Sequence, residues 1–388
     1  MHLPNEFRLV AACCRWPPSP ARDEAVLAAA ALPLDWTLVV RIAGRHRVEG
    51  LVWNALRGAD VAVPGEAGEP LRTAAARIAR QNLVLTAESL RLAARLEEAG
   101  VRFLFVKGVA LGALVYGSVA PKMGWDIDLV VPARQVEAAA AVLEAAGYRL
   151  DLPSGPRARE RLALFHRHWK ESVWKSAAGG LTVELHTALS DAPALLPRVG
   201  AESPAQAVEV AKGRFLPTLR TDELFAYLTV HGASSAWFRL KWIADVAALL
   251  AGSPPAEIER LYRRSQQIGA GRAAAQALLL CERLFETPVP PALVAELRRD
   301  RTNRWLLVAA LRLLAGRTLV AELHEVRFGT FYIHLIQFSL LPGLGFKLDE
   351  LRRQLVPARD RVDVPLPRWL GFLYPLISMS RRLAGRSK

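Results

Sequence analysis

The stretch FVKGVALGALVYGSVAPKMGWDIDLVV, residues 105–131, decides the reading of this chain. It ends in Asp126-Ile127-Asp128, two carboxylates one residue apart inside an apolar run. In a strand, residues i and i+2 face the same side. Asp126 and Asp128 therefore point one way, while Ile127, Leu129 and Val131 point the other and can pack on a helix. Two adjacent carboxylates repel each other, and one tends to hold a proton. A divalent cation removes that conflict. Mg²⁺ takes one or two carboxylates together with substrate phosphates, and two such ions can clamp the attacking and leaving oxygens of a phosphoryl displacement.

The surrounding pattern supplies more of a site. Upstream, VRFLFV (101–106) reads as a buried strand, with Gly100 ending the helix before it. Lys107-Gly108 breaks the strand, where a glycine turn lets backbone N–H groups approach phosphates and Lys107 adds a point charge. Lys122, just before the acids, offers a second. A short helix (109–117), an amphipathic helix ending at Gly147 and a strand YRLDL follow. KESVWK and LTVELHT then form two strand patterns joined by Gly179-Gly180, a hairpin turn. Glu184 lies in the second of these, with His186 on the same face. Placed beside the Asp-x-Asp strand, Glu184 completes an acidic triad, as metal ligand and general base toward an acceptor hydroxyl.

The remainder reads as helix. This gives an α+β chain, a small mixed sheet embedded in helical N- and C-terminal regions. The expected division is a helical region over 1–95, an α/β core over 96–190, a helical region over 191–300 that completes a cleft, and a basic helical region over 301–388. Within the third, Lys241 and Asp245 share a helix face at i,i+4: either they form a surface ion pair with Trp242 in the core, or Lys241 or Arg239 reaches a triphosphate while Asp245 holds it in place. His166 and His168 are expected to be solvated, and His46 to lie at the surface or between regions.

Composition sets the wider bounds. The 388 residues hold 51 Lys and Arg against 37 Asp and Glu, a formal charge of +14. Such an excess suits an anionic partner. Three cysteines make no disulfide framework and no zinc spacing occurs. The start MHLPNEFRLV does not follow a signal-peptide pattern, so a reducing cytoplasm is expected. No motif indicates nucleic acid. The C-terminal LGFLYPLISMSRRLAGRSK sets an apolar stretch beside a basic end, a pattern compatible with contact at a membrane surface.

Taken together, Lys107-Gly108, Tyr116, Gly124 and Asp126-Ile127-Asp128-Leu129-Val130-Val131 resemble the nucleotidyltransferase fold of the DNA polymerase β superfamily. They resemble more closely the bacterial family of uncharacterised nucleotidyltransferases, which carries Lys-Gly, a Tyr, a basic residue and an Asp-Ile-Asp run in this order. VELHTAL is similar to its third-carboxylate strand, and VHGASSAWFRLKWIADVAALL to its helical region. The likeness extends to LDWTLVVRIAGRHRVEGLVWNAL near the start. There are departures. Lys-Gly stands in place of the superfamily's Gly-Gly or Gly-Ser turn, the gap from Gly108 to Asp126 is longer, Trp125 precedes the first Asp, and Thr187 replaces an aromatic. No carboxylate is lost. The resemblance implies an NTP substrate, ATP first among them, with Mg²⁺ in a two-ion site held by Asp126, Asp128 and Glu184. Lys107, Gly108, Lys122, Lys241 and Asp245 would bind the nucleotide. The reaction implied is transfer of NMP to an acceptor, a small molecule, sugar, peptide or protein, with release of pyrophosphate. The competing expectation is a fold that has lost its chemistry and docks nucleic acid or an anionic membrane through its basic surface.

Overall fold

The computed structural model describes residues 3–316 and 329–355, together with 361, 364, 366–377 and 380. Four helices open the chain: α1 (Asn5–Cys13), α2 (Pro20–Ala30), α3 (Trp36–His46) and α4 (Glu49–Gly58). A long helix, α5 (Gly65–Glu98), leads to the sheet. Then follow β1 (Leu104–Phe105), α6 (Gly108–Tyr116), β2 (Ile127–Val130), α7 (Val136–Ala145), β3 (Tyr148–Leu152), α8 (Leu162–His166), β4 (Glu171–Ser176) and β5 (Thr182–His186). The five strands lie in the order β1-β2-β5-β4-β3. β2 and β5 are parallel, and the other neighbours are antiparallel. The sheet is therefore mixed, as the sequence predicts, and the Glu184 strand lies directly beside the Asp-x-Asp strand.

Two sequence expectations need correction. The run 101–106 joins β2 only through its last three residues, Leu104 and Phe105 as ladder pairs and Val106 through its amide to the Asp128 carbonyl at 3.4 Å, so apolar character there exceeds the length of the ladder. A second, two-stranded sheet, β6 (Ala205–Ala211) and β7 (Arg214–Leu219), precedes the C-terminal helices. The alternation of buried Val208 and Val210 with exposed neighbours, and the turn at Lys212-Gly213, carry its signal.

The helices α9 (Thr221–Ser234), α10 (Leu240–Leu249), α11 (Pro255–Gln267), α12 (Gly271–Phe285), α13 (Pro291–Arg299) and α14 (Arg301–Leu314) follow, with α15 (Gly329–Ser339) and α16 (Leu344–Leu355) beyond them. One apolar core joins helices from both ends: Phe7, Leu56, Phe225, Trp237 and Leu306 belong to the same buried cluster. A second cluster lies between α5, α7 and the sheet, around Leu92, Ile127, Leu129, Leu143 and Trp174. No helix among the described residues is long and apolar enough to cross a membrane.

His46 is a joint of the larger core, not a surface residue. Its ring is fully buried. The Leu240 amide, an N–H at the start of α10 that lacks a partner within its own helix, donates to His46 Nδ1 at 3.1 Å. Nε2 lies 3.1 Å from the Leu314 carbonyl oxygen at the end of α14. Arg45 also donates to the carbonyls of Leu313 and Leu314 at 2.7 and 2.9 Å, and Arg239 donates to the Arg45 carbonyl at 2.8 Å. Three helix ends are thus satisfied in one buried place. Burial, aided by the Arg45 charge, pushes the His46 imidazole down to about 3.

The fold accepts only the neutral ring, whereas the unfolded imidazole takes a proton below about pH 6.5. The His46 contribution to stability is therefore whole above that pH and drains away as pH falls toward 3, by up to about 1.4 kcal/mol per pH unit. His46→Phe should lower stability at pH 7 by about 1–3 kcal/mol through the unpaired helix ends. It should also flatten the acid-side slope between pH 6.5 and 4. Urea denaturation of both proteins across that range tests this, and equal slopes would refute it.

Candidate active site

The site is built by strand register. In the parallel pair, Asp128 is aligned with Glu184, and Val130 with His186. On the other side of β5, antiparallel β4 sets Glu171 opposite His186. Alternation then places Asp128, Glu184, His186 and Glu171 on one face, while Ile127, Leu129, Val183 and Leu185 are buried on the other. His186 is the hub. Its Nε2 stands 3.3 Å from Asp128 Oδ1 and 3.5 Å from Glu184 Oε2, and its Nδ1 stands 3.2 Å from Glu171 Oε2. Lys107 Nζ lies 2.6 Å from Asp128 Oδ1, and Lys170 pairs with Glu171.

Two ammonium groups and an imidazole therefore face the acids. Against the upward push of burial, Lys107 and His186 hold the Asp128 carboxyl well below the usual range. Burial acts on His186 in the opposite sense to its neighbours, but the contacts with the Asp128 and Glu184 carboxylates win and raise its pKa. Asp126 has no such partner within the cluster. Burial, and then the Asp128 charge beside it, push it up to about 6.

Asp128, Glu184 and His186 each present a ligand atom, all within 4.8 Å of one another, a set that can hold a metal ion. Two of these atoms, Asp128 Oδ1 and His186 Nε2, are buried without a hydrogen bond. The Lys107 contact at 2.6 Å supplies charge to Oδ1, but not the directed geometry of a hydrogen bond. The carboxylates suit a hard cation such as Mg²⁺, which prefers oxygen. The imidazole suits it less.

The turn and loop around the acids are held by named contacts. Gly108 has φ of +59°, the left-handed region that favours glycine, and a Cβ there would stand 3.5 Å from the Asp126 carbonyl oxygen. This places the Lys-Gly turn against the backbone of the first acid. The α6–β2 loop is fixed from α5, where Asn82 Nδ2 donates to the Val119 and Lys122 carbonyls, both at 2.6 Å. It is also crowded by α4: a Cβ on Gly50 would lie 2.5 Å from the Pro121 carbonyl oxygen.

Of the residues singled out in the sequence, Asp128, Glu184 and Lys107 meet in one cluster. Asp126 stands next to it, outside the three-ligand group, and feels Asp128, Lys107, Glu184 and Lys241. Asp245 is buried and accepts from the Tyr116 hydroxyl at 2.9 Å, with Lys122 Nζ 3.5 Å away. These three tie α6 and the loop to α10. Lys241 lies on the Asp126 side; burial, with Lys122 and Arg47 as repelling charges, lowers it to about 7. Arg239 points into the helical joint at His46. His231 is partly buried against Trp242, ring centroids 5.5 Å apart, and burial with the Lys107 charge holds it well below its ordinary range.

His166, expected in solvent, is buried. Its two nitrogens lie 3.0 Å from Thr187 Oγ1 and 3.0 Å from Ser172 Oγ, bracing the ends of β4 and β5. Sequence reasoning missed Glu171 as a member of the cluster. The hairpin itself carried that signal, since a turn centred on Gly179 sets the antiparallel register that brings Glu171 to His186.

Against known families, residues 33–286 match the model described as an uncharacterised nucleotidyltransferase. A comparison with curated proteins gives no match. The matched segment takes in α3 to α12 and the whole acid-bearing sheet, and so the chain belongs to the uncharacterised nucleotidyltransferase family.

Proposed function

We propose that this chain transfers a nucleoside monophosphate, AMP from ATP, to an acceptor hydroxyl and releases pyrophosphate. The observation that carries this reading is the alignment of Asp128 with Glu184 across a parallel strand pair, beside Asp126 and a Lys-Gly turn. Asp126, Asp128 and Glu184 would hold Mg²⁺. When bound, the metal neutralises charge on the α-phosphate and the leaving pyrophosphate.

The chain's own groups account for the rest. Lys107, in contact with Asp128, and Lys241, whose charge acts on Asp126, supply positive charge for the triphosphate. Lys241 is held near 7 by burial and by its neighbours Lys122 and Arg47, so an incoming polyanion favours its charged form. Lys122 and Asp245 act as a pair that keeps the loop and α10 together behind it. Gly108 lets the turn lie close to the phosphates. Glu184, partly exposed where Asp128 is buried, takes the acceptor's hydroxyl proton. The acceptor oxygen bonds to the α-phosphorus as the bond from that phosphorus to the pyrophosphate oxygen breaks. His186, held by Glu171, Asp128 and Glu184, positions the two catalytic carboxylates.

Incubating the protein with α-phosphate-labelled ATP, Mg²⁺ and a host-cell extract should give a labelled product. Asp126→Asn with Asp128→Asn should lower its formation by about a thousandfold or more, the scale expected when electrostatic stabilisation of a charged transition state is removed. Undiminished labelling, or undiminished Mg-dependent ATP binding, in that double variant would reject the reading.

A second expectation concerns the metal alone. Lys107 now supplies the positive charge that a cation would bring to Asp128. Lys107→Met should therefore lower thermal stability without Mg²⁺, since it leaves a buried carboxylate uncompensated. It should also make the rise in Tm on adding Mg²⁺ larger than in the unmodified chain. An equal or smaller rise would show that no cation takes that place.

A further inference from the structure

A cavity of about 450 Å³ opens beside α8, lined by Leu152, Pro156, Arg157, Arg161, Phe165 and Trp169 among others. The proposed transfer uses none of these residues. The size falls in the range of small-molecule sites, which are mostly apolar with a few convergent polar groups. Phe165 and Trp169 stack, with ring centroids 6.0 Å apart and planes 21° from parallel. Phe165 is buried, while Trp169 is 36% exposed and Leu152 38% exposed. An aromatic shelf and an aliphatic wall thus stand open, with apolar area that a flat ligand would remove from water. Among the described lining residues the charged ones are two arginines, and none is acidic. A planar guanidinium matches a carboxylate or phosphate in shape as well as charge.

The cavity adjoins the acid cluster through the chain. Trp169 stands two residues before Glu171, about 7 Å of extended backbone, and Glu171 contacts His186 at 3.2 Å. Phe165 precedes His166, which touches Thr187 at 3.0 Å, the residue after His186. Both rings of the shelf are therefore fixed to the end of the sheet that carries Glu184 and His186.

We infer that this cavity is the acceptor subsite. It takes a small molecule with a flat aromatic or aliphatic body and one anionic group, the body on Trp169 and the anion at Arg157 and Arg161. This assignment rests on the proposed nucleotidyl transfer, because it needs a reaction for the bound molecule to enter. The specificity it gives is for amphipathic anions over neutral or cationic acceptors.

The test uses the full chain titrated by calorimetry with 2-naphthoate, 2-naphthyl phosphate and neutral 2-naphthamide. The expected result is one-to-one binding, with at least one anion about tenfold tighter than the amide. The preferred anion tells carboxylate from phosphate. Trp169→Ala should weaken all three ligands by about tenfold, while Trp169→Phe, which keeps a stacking ring, should stay within about threefold. Arg157→Gln with Arg161→Gln should abolish the anion preference and leave the amide unchanged. Asp126→Asn with Asp128→Asn should leave naphthoate affinity unchanged, which separates this site from the nucleotide site. No binding of either anion, or equal binding to Trp169→Ala, would overturn the site.

In the labelled-ATP extract assay, Trp169→Ala should lose labelled product about tenfold or more while Mg-ATP affinity holds. Full labelling by Trp169→Ala would overturn the acceptor role and leave the transfer reading standing. Absence of labelling by the unmodified chain would instead remove the transfer reading, and the acceptor role with it.

Discussion

Everything in the site depends on one cross-strand alignment, Asp128 beside Glu184 in the parallel pair β2 and β5. A parallel neighbour cannot be reached by a tight turn. The chain therefore leaves β2, builds α7, β3, α8 and β4, and returns in β5 with the second acid at the right height. A slip of one residue would turn Glu184 and His186 into the apolar face and Val183 and Leu185 out of it. The buried side of the sheet thus fixes the register, and the register fixes the acid cluster. Packing of Leu129, Val183 and Leu185, all fully buried, holds the charged face in place.

That cluster concentrates negative charge in a poorly solvated place, which is costly unless charge of the other sign is close. The protein supplies it from two lysines, Lys107 in the turn after β1 and Lys170 just before β4, and sets the His186 imidazole of β5 against the acids, which raise its pKa. Asp126, at the edge of this arrangement, is the carboxylate pushed upward to about 6. The electrostatics are therefore uneven: Asp128 has Lys107 in contact, while Asp126 is pushed upward by burial and by Asp128 itself. The proposed function builds on this unevenness.

Around the sheet, the helices position the site, and α10 brings the Lys241 charge to where Asp126 feels it. Asn82 from α5, Gly50 from α4 and Asp245 from α10 each clamp the segment between Gly108 and Asp126. These three contacts fix its path. His46, Arg45 and Arg239 in turn tie α10 to α3 and α14. The N-terminal helices are thus part of the frame that holds the loop, which is why helices from both ends of the chain share one core.

The sequence by itself determined the periodicities and the order of the elements as far as β5. Alternation put Asp126 and Asp128 on one face, Gly179-Gly180 marked the β4–β5 hairpin, and the resemblance to a nucleotidyltransferase family rested on short runs of residues that can be read in a line. The Lys107–Asp128 contact, the His186 hub, the buried roles of His46 and His166, and the Tyr116–Asp245–Lys122 tie were decided only by the tertiary structure. Each joins residues from 6 to more than 260 positions apart. A local pattern cannot encode such meetings, because burial and charge pairing belong to the space between elements. Asp245 shows the difference. Its i,i+4 spacing to Lys241 suggested a pair along one helix, yet its partners come from α6 and the loop after it, because only there does packing bring a hydroxyl and an ammonium to a carboxylate that would otherwise be buried alone.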